Sequence, residues 1–171
     1  MLSCFIACLS FLQVQAQSWQ SYKYSEPIGF RVLSPEKLAK QQKKIDTSMG
    51  QLESVTYHVE GIEDDPNYLY LINLIAYPES TFPVDSIDLQ KEFLEGSLLS
   101  IAENVGGEIL YHHFNTQNEV LYRIKYNEGE AVLKGRILLH DDVFISIQVF
   151  TDKEHSLNTE MDDFLEGFSI P

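Results

Sequence analysis

Cysteine is nearly absent from this chain of 171 residues. It has two, Cys4 and Cys8, and both fall within the first 16 residues. Removal of that segment would exclude disulfides, thiol nucleophiles and cysteine-ligated metals together, leaving the core alone to hold the fold. Basic residues are scarce as well: 12 Lys and Arg stand against 26 Asp and Glu, for a net charge of −14. Such a surface repels phosphate backbones and anionic lipid, which argues against nucleic-acid binding and a membrane-surface role. A Gly-x-Ser-x-Gly motif is missing, and Ser97 in "EGSLLS" falls inside a helical pattern rather than at a strand-to-helix elbow. No glycine loop opens a helix to cradle phosphate, since Gly106-Gly107 closes one. No repeat, low-complexity tract or Gly/Ser/Pro-rich linker divides the chain, so a single domain is expected.

The opening segment "MLSCFIACLSFLQVQA" carries no charge and has an apolar run from Leu2 to Leu12. It ends in Val14-Gln15-Ala16, the small-x-small pattern that signal peptidase cleaves. The run is too short for a bilayer, which needs about 20 residues. A signal peptide at 1–16 is expected, with cleavage before Gln17 and residues 17–171 exported as one periplasmic or secreted domain. Its unusual feature is that no Lys or Arg precedes the apolar run. Lipidation of Cys8 behind Ala7 is the alternative, but only seven residues precede that cysteine, too few for an ordinary signal. A domain of this size buries about 70% of its unfolded surface and needs no staple.

The periodicities alternate between 2 and 3.6. "SWQSYKYSE" and "GFRVLSP" read as short strands, the second halted by Pro35. Residues 35–44 are ambiguous: Ser34-Pro35-Glu36 suits a helix start, but no apolar stripe continues it. "QLESVTYHVE" alternates, with Val55, Tyr57 and Val59 on one face and Ser54, Thr56, His58 and Glu60 on the other. Asp64-Asp65-Pro66-Asn67 makes a turn. The uncharged "NYLYLINLIAYP" then places Tyr70, Ile72 and Leu74 on one face and Leu69, Leu71 and Ile75 on the other. A strand apolar on both faces is covered on both faces.

Two helices would supply the covers. From Asp85 or Ser86 the stripe Ile87, Leu94, Leu98, Ile101 and Val105 leads to Gly106-Gly107. Gly96 inside it suggests a close backbone approach. Leu157, Met161, Phe164, Leu165 and Phe168 mark a second, C-terminal helix. Between them "EILYHHF", "VLYRIKY", "AVLKGRILLH" and "VFISIQVF" are joined by connections of two to five residues, which permits only antiparallel neighbours. The expected class is α+β: an antiparallel sheet of six to eight strands sandwiched between helices.

In this order the pieces "GFRVLSP", "TSMGQLESVTY", "YLYLINLIAYP", "VGGEILYHHF", "GRILLHDDVFISIQV" and "FLEGFSI" resemble the PsbP-like family across nearly the whole of 17–171. The resemblance implies the α-β-α sandwich shared by PsbP and a Ran-binding nuclear import factor, here as an exported bacterial member. PsbP is an extrinsic subunit of photosystem II that docks partly through an N-terminal extension. Cleavage before Gln17 would leave no such arm here, and no functional residue is carried over.

Candidate chemistry is sparse. His112 and His113 are adjacent on a strand and so point to opposite faces; His58, His140 and His155 lie far off in sequence. Glu60, Glu63, Asp64, Asp65 and Asn67 form an oxygen-rich turn without calcium-loop spacing, which reads as a solvated turn. Lys134 and Arg136 share a strand face among apolar neighbours, which implies pairing with acids or binding of an anion. Lys37, Lys40, Lys43 and Lys44, beside Arg31 and against the single acid Glu36, form a candidate partner-docking patch. Residues 141–171 instead carry eight acids and one Lys153. The expected function is an exported, non-enzymatic binding or accessory module for a protein or small ligand, without catalytic residues, metal, cofactor or membrane span. The alternative is a small hydrolase or metal-dependent enzyme whose site is assembled from distant residues.

Overall fold

The computed structural model describes residues 19–47 and 49–171. The expected signal segment, both cysteines and the cleavage point before Gln17 lie outside the described residues. Nine strands and two helices follow in the order β1 (Gln20–Tyr24), β2 (Phe30–Ser34), β3 (Ala39–Thr47), β4 (Gly50–Glu60), β5 (Asn67–Ala76), α1 (Ile87–Asn104), β6 (Glu108–Thr116), β7 (Glu119–Tyr126), β8 (Ala131–His140), β9 (Val143–Asp152) and α2 (Thr159–Glu166). Strands β3 to β9 form a seven-stranded antiparallel sheet in the order β3-β4-β5-β9-β8-β7-β6, and β1-β2 form a separate hairpin.

One face of β5 does what its alternation requires. Tyr70, Ile72 and Leu74 are fully buried, aligned with Val59, Tyr57 and Val55 on β4 and with Val149, Ile147 and Ile145 on β9. Burying large side chains on three adjacent strands is worth about 1.5–3 kcal/mol each, enough to fix the register. The cover on this face is α2 together with the β1-β2 hairpin; Phe30, Val32, Met161, Phe164 and Leu165 complete the cluster. Backbone bonds of 2.8 and 2.9 Å between Arg31 and Ser169 lock the hairpin to the tail after α2.

The other face departs from expectation. Helix α1 packs on β7 and β8, where Leu94, Leu98 and Ala102 meet Tyr122, Ile124, Leu133 and Ile137. Leu69, Leu71 and Asn73 of β5 are only half-buried. The two covers therefore sit diagonally, each over one half of its face. The reason lies in Asn73, whose side-chain oxygen accepts hydrogen bonds from Ser54 Oγ (2.8 Å) and Thr56 Oγ1 (3.0 Å) on β4. A satisfied polar track on this side of β4 and β5 has no need of a helix above it.

Helix α1 starts after the N-cap Ser86, whose side chain makes no capping hydrogen bond, whereas its end follows its local chemistry. Gly106, at φ +61°, closes α1 in a Schellman motif: its N–H donates to Glu103 O (3.0 Å) and that of Gly107 to Ala102 O (2.8 Å). At Gly96, however, an added Cβ would meet nothing within 4 Å, so no backbone approaches it. Leu157 does not join the α2 stripe; it is 84% exposed, ahead of the N-cap Asn158, whose side chain accepts from Met161 N at 2.9 Å.

Candidate functional site

Two candidate surfaces stand at opposite edges of the sheet. The first is β3. Residues 35–44 do not start a helix: Ser34 Oγ donates to Glu36 O (2.7 Å), the buried Leu38 donates its amide to Tyr24 Oη (2.8 Å), and the chain then runs out as an edge strand. None of its nine residues is buried. A strand without a core-facing side chain is held by its ladder to β4, and among the described residues no strand neighbours its outer backbone groups. Lys40 and Lys44 stand opposite Tyr57 and Glu53 on the α2 face, Lys43 opposite Ser54 on the other, and Lys37 precedes the strand. Lys40 pairs with Glu26, which holds that carboxyl below its usual range through a direct hydrogen bond. Among the described residues, Lys37, Lys43 and Lys44 form no ion pair.

The second surface is a groove of about 350 Å³ on the α2 face, where α2 reaches only to β8. Leu121 and Arg136 form its floor, Tyr111 and His113 of edge strand β6 one wall, and Asp162 and Glu166 of α2 the other. The register explains the grouping. His113, Leu121 and Arg136 are opposite one another on β6, β7 and β8, as are Tyr111, Arg123 and Lys134 one step along. The Tyr111 and His113 rings stack at a centroid distance of 6.3 Å.

Both β8 cations are paired. Lys134 Nζ meets Asp162 on α2. Arg136 Nε lies 3.1 Å from Glu119 Oε1 without hydrogen-bond alignment, while Nη2 donates to Phe168 O at 3.3 Å. The guanidinium also covers the Phe168 ring at 5.6 Å. Burial pushes the Arg136 pKa down, and Glu119 and Glu166 oppose that shift. The group stays charged. Pairing with acids, one of the two sequence readings, is thus what the structure shows; Glu119 and Asp162 were not nameable from sequence, since nothing local marks them.

The histidines do not converge. His113 lines the groove, and His112 points to the opposite face beside Leu98 and Leu99 of α1. His58 lies on β4, and His140 is 3.8 Å from Asp141 in the β8-β9 turn. His155 Nδ1 is 2.9 Å from both carboxylate oxygens of Asp152, in an exposed turn. Among the described residues no three His, Cys, Asp or Glu side chains are grouped as metal ligands. In the acidic turn, Asp65 Oδ1 accepts from Asn67 N and Tyr70 Oη, both at 2.8 Å. Buried Asn67 extends this network to Asn158 at the start of α2. These bonds give the turn a structural role.

No protein-family model matches the chain, and no curated protein matches it. Among solved structures, the solution structure of cyanobacterial PsbP (CyanoP) from Synechocystis sp. PCC 6803 is similar over 100% of this chain and 99% of that one, with a TM-score of 0.55 at 12% identity. The fold is PsbP-like, as the order of the sequence pieces implied. No helix of the described residues is long and apolar enough to cross a membrane.

Proposed function

We propose that the chain is an exported, non-enzymatic accessory module that docks an acidic protein partner along β3, with Lys37, Lys40, Lys43 and Lys44 as the contact residues. One observation carries this reading: β3 is an ordered strand of nine residues with no buried side chain, basic within a chain of net charge −14. Ordering backbone costs about 1–2 kcal/mol per residue, and β3 recovers little of it by burial. Strand addition by a partner would satisfy the outer backbone groups, and lysines on both faces would select acidic neighbours. The scattered histidines and the paired groove cations fit recognition better than turnover.

The test is affinity capture with the native chain and with the triple variant Lys37→Glu, Lys43→Glu and Lys44→Glu, whose melting should match the native protein because the three sites are exposed and form no ion pair among the described residues. The native chain is expected to retain a partner that elutes as salt rises from about 0.05 to about 0.5 M, where screening shortens toward a few Å. The variant should retain none. Equal retention by both, or repeated failure of the native chain to capture any partner, contradicts the reading.

A further inference from the structure

The groove between α2 and β6 is independent of the docking edge and stands at the other end of the sheet. At about 350 Å³ it lies near the lower end of the range typical of small-molecule clefts, roughly 300–1,000 Å³. Its apolar surface comes from Leu121 and Leu165, beside the stacked Tyr111 and His113 rings. Its charge is of both signs. Arg136 makes one hydrogen bond among the described residues, to Phe168 O, out of the five N–H groups of a guanidinium. Its Glu119 contact lacks hydrogen-bond alignment, so its fork retains donors for a carboxylate. Across the groove, Glu166 is exposed, forms no ion pair among the described residues and lies close enough to act on the charge of Arg136.

A simple anion entering here would face Glu119, Asp162 and Glu166 as well as the cations, and a simple cation would face Arg136 and Lys134. Because Asp162 and Glu119 already meet the two cations, a simple anion would be repelled by Glu166, and a simple cation would leave the spare Arg136 N–H groups without an acceptor. A dipolar ligand matches the two walls at once. The geometry points to this groove as a binding site for a small zwitterion, an α-amino acid with an apolar or aromatic side chain. Its carboxylate faces Arg136, its ammonium faces Glu166, and its side chain lies on Leu121 against the Tyr111-His113 pair. Asn115 also lines the groove, its side-chain amide donating to Glu119 Oε2 at 2.8 Å.

Calorimetric titration of the purified protein with L-phenylalanine and L-leucine, N-acetyl-L-phenylalanine and L-phenylalanine amide tests this assignment. A free amino acid is expected to bind at least about tenfold more tightly than either blocked form, a difference well within reach of one charge-assisted contact. Glu166→Gln changes an exposed side chain and is expected to erase the advantage over N-acetyl-L-phenylalanine, which lacks the ammonium, while leaving the melting temperature unchanged. Amide NMR shifts on titration should centre on Tyr111, His113 and Leu165. Equal binding of a blocked form, no binding of either free amino acid, an unchanged advantage in Glu166→Gln, or shifts centred elsewhere would each overturn the proposal. None of these outcomes bears on β3, whose variants keep the groove intact.

Discussion

Phe164→Ala is expected to lower the unfolding free energy by about 3–5 kcal/mol, out of a total of roughly 5–15 kcal/mol for a domain. Phe164 is fully buried, and its ring meets that of Tyr70 at 5.1 Å. Helix α2 has eight residues, below the roughly 12–15 at which an isolated helix begins to persist. It therefore exists through its packing: Met161, Phe164 and Leu165 anchor it on β5, β9 and β2. Removing the largest of the three opens a cavity under the cover of the central strand and loosens the Asn158-Asn67 link at its start. Urea unfolding at constant slope measures the loss. Phe164→Leu should recover most of it, since it leaves a smaller void. A loss under about 1 kcal/mol would mean that α2 does not seal this face.

Gly135→Ala is expected to cost about 1–3 kcal/mol although it adds a single methyl. Gly135 lies mid-strand in β8, opposite Tyr122 on β7 and Gln148 on β9. A Cβ there would come within 2.3 Å of the Tyr122 ring and hydroxyl. Tyr122 has no room to retreat: it is completely buried under α1, and Gln148 Nε2 donates to its hydroxyl at 3.0 Å. The same burial pushes the tyrosine pKa upward, and the buried hydroxyl oxygen keeps Gln148 as its donor. The double change Gly135→Ala with Tyr122→Leu should be less destabilising than the sum of the single changes. Strict additivity would show that the ring and the glycine are not in contact.

What could be read from the sequence was whatever periodicity and turn chemistry encode locally. The meander β6 to β9, the α1 stop at Gly106-Gly107 and the two-sided apolarity of β5 all rest on residues a few positions apart. Strand β3 was not legible, because "AKQQKKIDT" carries neither apolar alternation nor a helical stripe; its conformation comes from pairing with β4. The diagonal placement of the covers was not legible either. It depends on Asn73 meeting Ser54 and Thr56, 19 and 17 residues away in sequence. Leu157 misled because its spacing to Met161 fits a helix, whereas Asn158 caps the helix behind it. The groove was half visible: Lys134 and Arg136 stood out as cations on an apolar face, but their partners Asp162 and Glu119 are fixed by tertiary packing.

The free edge at β3 is most directly tested by residue-resolved amide hydrogen exchange over residues 39–47 of the isolated protein. An alternating pattern is expected, with amides bonded to β4 protected and the outward ones exchanging at near open-chain rates. Uniformly fast exchange would show that β3 is not an ordered strand. Uniformly slow exchange would show that its outer side is already occupied. Either result would contradict a docking edge held ready for a partner.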